Sequence, residues 1–106
     1  MPTPAEIFTE MPNRVTTDQV GDLNADVLFD LSGDNGGKWT VSLADGACTT
    51  QEGAKDETKA TIMMEDGDFV NMVMGDLNPM TAFMTGKVKV DGDLNTVMKM
   101  QSILGA

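Results

Sequence analysis

Gly75-Asp76-Leu77-Asn78-Pro79-Met80-Thr81-Ala82-Phe83-Met84-Thr85-Gly86-Lys87-Val88-Lys89-Val90 is the stretch on which the fold turns. Asn78 has the short polar side chain that caps a helix, and Pro79 supplies a preset φ for its first turn. Met80, Ala82, Phe83 and Met84 follow as the apolar content of that helix, and Gly86 is placed to end it. From Lys87 to Asp91 charged and apolar residues alternate, so a short strand begins at once.

Outward from there, Asp66 is the expected N-cap of a helix reaching about Met74, with Phe69, Val70, Met72 and Val73 on its apolar side. Ala60, Ile62 and Met64 alternate in the strand before it, and residues 53–59 read as a polar surface loop. Val27, Phe29 and Leu31 share one face of a first strand over 25–31. Trp39, Val41 and Leu43 share one face of a second, and Asp45-Gly46 turns it into a third over 47–52. Downstream, Asp93 caps a last helix carrying Leu94, Val97, Met98, Gln101 and Leu104 along one side. At the other end Pro4 starts a short helix with Ile7, Phe8 and Met11, which Pro12 is expected to stop. Thr16-Thr17-Asp18 caps one more turn toward Leu23. Helix, three meandering strands, a fourth strand, two helices, a fifth strand and a helix make an α+β pattern in one domain over 1–106.

Eight of the ten methionines lie between Met63 and Met100. Methionine is unbranched and polarizable and adapts to irregular apolar space. A core ordinarily uses Leu, Ile, Val and Phe, whose rotamers are better defined. The composition therefore points to a cavity that fits more than one guest, or equally to a soft core with none.

The totals exclude several classes. Seventeen acidic residues stand against seven basic ones, which repels nucleic acid and disfavours docking through a polybasic patch. Histidine is absent, and with it the usual general base and zinc ligand. No apolar run approaches a membrane span, and the first residues lack a signal peptide's basic start and apolar run. One cysteine, Cys48, forms no internal disulfide, so a soluble, cytoplasmic protein is expected. Gly36-Gly37-Lys38 lacks the earlier glycine and following hydroxyl of a phosphate loop. Asp30, Ser32 and Asp34 imitate a calcium loop, but Asn35 and Val41 stand where Gly and Glu are needed. Asp66 with Asp68 reads as helix-start capping, and Cys48 as a small buried hydrophobe.

The second half resembles the sterol carrier protein-2 (SCP2) lipid-binding domain. The resemblance is carried by Ala60-Thr61-Ile62-Met63-Met64-Glu65-Asp66-Gly67-Asp68-Phe69, by the stretch from Gly75 to Val90, by Gly92-Asp93, and by Met98-Lys99-Met100-Gln101-Ser102-Ile103-Leu104. Phe29-Asp30-Leu31-Ser32-Gly33 and Gly36-Gly37-Lys38-Trp39-Thr40-Val41 fit the family's first hairpin. It covers about residues 25 to 104 and is weakest over the helical region 1–24. It implies a five-stranded, largely antiparallel sheet covered on one face by helices, with an apolar tunnel between the layers. It implies carriage of fatty acyl chains, sterols, acyl-CoA or phospholipid without chemistry on them, and no cofactor or metal. Two departures matter: the N-terminal helix is poor in basic residues, which weakens the family's proposed membrane contact, and Met80 stands where some members have glutamine.

The expected ligand-contacting residues sit on the inner faces: Trp39 and Val41 on the sheet; Phe69, Met72 and Val73 on the first covering helix; Phe83 and Met84 on the second; Val97, Met98, Gln101 and Leu104 on the last. Each apolar member reads equally as ordinary core. Gln101 falls on an apolar side, where its amide meets a lipid head group, a backbone group or water. Because CoA phosphates need basic neighbours and only Lys87, Lys89 and Lys99 lie in the covering half, fatty acid, sterol or phospholipid is favoured over acyl-CoA. The expected function is non-catalytic lipid binding and transfer, with at most transient membrane contact. The alternative is a closed-core protein-interaction or accessory domain beside a lipid-metabolising enzyme, and pairing of two copies stays open.

Overall fold

The computed structural model describes residues 3–55 and 58–104, the side chains of 19, 79 and 100–104 excepted. Two helices, α1 (Pro4–Arg14) and α2 (Thr17–Val20), precede strands β1 (Ala25–Ser32), β2 (Gly37–Ala44), β3 (Ala47–Glu52) and β4 (Ala60–Glu65). Helices α3 (Asp66–Val73) and α4 (Pro79–Met84), strand β5 (Val88–Gly92) and helix α5 (Leu94–Leu104) follow. The strands form one sheet in the order β3-β2-β1-β4-β5. Three ladders are antiparallel, and β1 runs parallel to β4.

Local chemistry explains each turn. Asp45 and Gly46 both have positive φ, 54° and 77°, the conformation whose twist suits a two-residue hairpin. Asn78 Oδ1 accepts from the N–H groups of Met80 and Thr81 at 2.9 and 3.2 Å. Helix α4 closes through Gly86 N–H to Phe83 O and Lys87 N–H to Ala82 O, with Gly86 at φ 81°. That double bond pattern is the one a left-handed glycine completes at a helix end. Asp93 caps α5, accepting from Asn95 N–H at 3.1 Å and Thr96 Oγ1 at 2.9 Å. The Thr96 hydroxyl, helped by the Asn95 and Thr96 N–H groups, holds the Asp93 carboxyl below its usual range against an opposing desolvation.

Two sequence expectations fail, each for a visible reason. Pro12 does not stop α1, which continues to Arg14. A proline cannot donate to the carbonyl four residues back, and here that carbonyl, Phe8 O, accepts instead from Thr50 Oγ1 of β3 at 2.7 Å. The sheet thus satisfies the group the helix leaves unpaired. Asp66 is the first residue of α3 rather than its cap; Glu65 is the N-cap and makes no side-chain cap bond. The Asp66 carboxylate instead accepts from Gly67 N–H at 2.8 Å and from Asn35 N–H at 2.9 Å, tying the β1–β2 loop to α3.

The helices lie on the sheet face bearing Val27, Phe29, Leu31, Trp39, Val41, Leu43, Ala60, Ile62, Met64 and Val88, all buried. The opposite face carries Asp26, where Lys55 Nζ sits 2.8 Å from its carboxylate. That hydrogen bond, then one from Ser42, holds the Asp26 carboxyl below its ordinary 3.8. A lowered folded-state pKa adds stability above the unfolded value and loses it as pH falls through the lowered one. For an exposed pair the gain is at most about 1 kcal/mol. Lys55→Met should therefore lower the urea midpoint slightly near pH 6, with the deficit closing as pH falls below 3.8. A deficit constant across that window would mean the pair adds nothing.

Candidate functional site

Over β1, β2 and β3 the interior is sealed by α1. The Phe8 ring, 1% exposed, stacks on Trp39 and on Phe69, with centroids 4.9 Å away in each case. It meets Phe29 edge-on at 5.4 Å, and Phe29 meets Phe69 at 5.7 Å. Four rings so arranged gain contact energy beyond area burial. Ile7 and Met11 complete the seal. The space above Trp39, Val41 and Phe69, expected to belong to a tunnel, is therefore filled by Phe8 and its neighbours in this conformation.

The other half, over β4 and β5, is built differently. Its floor is Ala60, Ile62, Met64 and Val88, with Val90 partly buried against it. Its cover comes from Ala82 on α4 and Val97 on α5, both buried, with Val70 and Met72 of α3. Ala82 and Val97 are small for residues that hold a layer down. The larger neighbours point away: Phe83 is 42% exposed, Met98 48% and Met84 78%. Phe83, Met84 and Met98 were expected on inner faces, and that expectation is corrected here. Helix α4 has only six residues, so one small side chain facing the sheet turns the rest of its apolar content outward.

Of the expected ligand-contacting residues, then, Trp39, Val41, Phe69, Met72 and Val97 are buried, Val73 is partly buried against the core, and Phe83, Met84 and Met98 form an exposed rim. Gln101 and Leu104 belong to α5, but their side chains fall outside the described residues. Phe8, in the weakest-matching region, is not among the expected site residues, yet it lies at the centre of the interior. The 7, 8, 11 apolar spacing of α1 was the available signal.

At one end of the sheet lies an open cleft of about 640 Å3 that reaches Met63 and Met64 of β4, within the size range of small-molecule sites. Asp30, Glu65, Asp68, Lys87 and Lys89 line it, and Asp30, Met63 and Lys89 are register neighbours on the face away from the helices. Among the described residues the only ion pair is Lys55–Asp26, so neither cleft lysine is paired. Burial pushes the Cys48 thiol up, away from nucleophilic use. The described residues hold no cluster of three or more potential metal ligands, and among them no helix is long and apolar enough to cross a membrane.

Residues 6–105 match the model of the SCP-2 sterol transfer family. The chain belongs to that family. Relatives include the hydroxysteroid dehydrogenase-like protein 2 of Xenopus tropicalis, 34% identical over 102 residues, which are 94% of this chain and 24% of that protein. Sterol carrier protein 2 of Bos taurus is 29% identical over 85 residues, 80% of this chain and 16% of that one. The chain thus spans about a quarter of the length of the dehydrogenase-like relatives, over their SCP2 part. The solution structure of palmitated SCP2L2 from Aedes aegypti superposes at a TM-score of 0.80 with 15% identity, covering 99% of this chain and 96% of that one. The sec-alkylsulfatase Pisa1 from Pseudomonas sp. contains the same fold, at a TM-score of 0.84 with 20% identity over 96% of this chain and 16% of that one. SCP-2 membership supports lipid binding or transfer in general, on a fold that is not itself catalytic. The same fold also occurs as one domain of enzymes.

Proposed function

We propose that this SCP-2 domain holds a single acyl chain or similarly apolar lipid between the β4–β5 half of its sheet and helices α4 and α5, carrying or presenting it unchanged. The observation that supports this reading most is the mismatch in that half, where small Ala82 and Val97 face the sheet while Phe83, Met84 and Met98 stand in solvent. Full burial of one such large side chain is worth about 1.5–3 kcal/mol. A guest that displaces α4 and α5 outward offers these side chains apolar surface to close upon, and pliable methionines suit that repacking. A sixteen-carbon chain gains on the order of 10 kcal/mol gross before entropy costs, enough to open a cover held by two small residues. Over this route Val97, Met72 and Val73 touch the chain, with Trp39, Val41 and Phe69 at its inner end, and Gln101 and Leu104 further along α5.

The cleft beside Met64 gives the polar end a place. Lys87, at the sheet end just before Val88, is unpaired and suits one carboxylate, while Asp30, Glu65 and Asp68 in the same cleft oppose a multiply charged head. Fatty acid is therefore favoured over acyl-CoA, within a family whose members serve sterols and phospholipid as well. A second reading has a specific basis: the dehydrogenase-like relatives are about four times longer than this match, so the domain presents its lipid to an enzyme acting beside it. Native mass spectrometry before and after delipidation tests the first reading. Heterogeneous lipid masses that leave on delipidation and return with palmitate are expected. No bound mass at any chain length, or palmitoyl-CoA held more tightly than palmitate at physiological salt, would overturn the binding and the head-group claims respectively.

A further inference from the structure

Six large apolar side chains stand in solvent among the described residues: Met74, Met80, Phe83, Met84, Leu94 and Met98. Met80, Phe83 and Met84 are spaced so that they share one side of α4, and Leu94 and Met98 share one side of α5. Both helices pack on β5 and turn Ala82 and Val97 inward, so the exposed apolar side chains of each lie away from the sheet. Charge is uneven along the chain. Residues 1–73 hold fourteen acidic and four basic residues, which is the whole net charge of -10, while residues 74–106 hold three of each. The segment that bears both helices carries no net charge in a strongly acidic molecule.

From this we infer that the α4–α5 face docks on an electrically neutral, zwitterionic lipid bilayer, with the acidic body turned to water. A neutral interface accepts Met, Phe and Leu side chains at the acyl boundary without a cationic anchor. An anionic bilayer repels the body over about 8–10 Å in physiological salt. Helix α1 does not compete for this role, because Ile7, Phe8 and Met11 are buried in the core. Met80 and Leu94 are exposed on this face and are not among the side chains that close on a guest.

Flotation with phosphatidylcholine vesicles tests it, beside vesicles that also contain phosphatidylglycerol, at low and physiological salt. The protein should float with the neutral vesicles, and less with the anionic ones at low salt. Met80→Asp with Leu94→Asp should cut the floated fraction at least about fivefold. Thr49→Asp, which adds one such charge on exposed β3, should leave it unchanged, and melting midpoints report that each variant folds. Palmitate binding in vesicle-free buffer separates the interior from the surface: docking lost with binding retained supports the assignment. An unchanged fraction in the double variant, an equal loss in Thr49→Asp, or stronger flotation with anionic vesicles at low salt overturns it. So does a protein that pairs with itself through this face and never floats. Failed palmitate binding with intact flotation sinks the carrier proposal and leaves the docking surface standing.

Discussion

Phe8→Ala is expected to lower the unfolding free energy by about 3–5 kcal/mol, the range for emptying a buried aromatic position. Phe8 lies between Trp39 and Phe69 and touches Phe29 edge-on, so its removal takes a ring contact from each of three others. A domain of this size holds about 5–15 kcal/mol in all, and the melting temperature should fall by more than about 12 °C. Urea unfolding at constant slope measures the loss. Trp39, the single tryptophan, should report water entering above it by a red shift in emission. The variant also bears on function, because the emptied space lies over Trp39 and Val41. An apolar cavity in a rigid core accepts an apolar guest, so palmitate should restore stability to Phe8→Ala by more than it adds to the wild type. A loss under about 1 kcal/mol would show that α1 does not seal the sheet.

The periodicity of the strands was fully informative about faces. Val27, Phe29 and Leu31 alternate with polar neighbours because one face of the sheet is wet, and the structure keeps that alternation residue by residue. Turn chemistry was equally legible at Asp45-Gly46, Asn78-Pro79, Gly86 and Asp93, where the geometry is decided within four residues. What escaped were decisions made across the chain. Pro12 ends a helix by local rules, yet Thr50, 42 residues away along the chain from Phe8, accepts the task of satisfying the Phe8 carbonyl. Asp66 caps by local rules, yet Asn35, 31 residues away, claims its carboxylate. The same limit applies to the candidate site. Spacing groups Met80, Phe83 and Met84 on one side of α4, but not whether that side or Ala82 meets the sheet. In a two-turn helix with apolar residues nearly all round, the answer comes from the floor beneath, and spacing carries no record of it.

Gly92→Ala should be among the most damaging single methyls in the protein, with Gly36→Ala, whose Cβ would press on the Leu31 carbonyl oxygen. Gly92 has φ 105°, and a Cβ there would lie 2.5 Å from Lys59 O and 2.8 Å from Ala60 Cα. Both are backbone atoms, so no side chain rotates aside to make room. Gly92 pairs with Ala60 at the end of the β4–β5 ladder, and the next residue, Asp93, donates its N–H to Lys59 O at 3.0 Å while capping α5. Relieving the overlap must prise β5 from β4 where α5 begins, and a loss of at least about 3 kcal/mol is expected. Gly75→Ala separates the two parts of that cost. Gly75 also has positive φ, 87°, but a Cβ there meets nothing within 4 Å, so only backbone strain of about 1–2 kcal/mol applies. The excess of Gly92→Ala over Gly75→Ala in paired urea unfolding measures the close approach itself. Equal losses would mean that β5 slides freely on β4 and that the seat of α5 is not fixed by the sheet. A clear excess makes Gly92 the point that fixes where α5 starts over the β4–β5 floor, and with it the gap through which the proposed guest would pass.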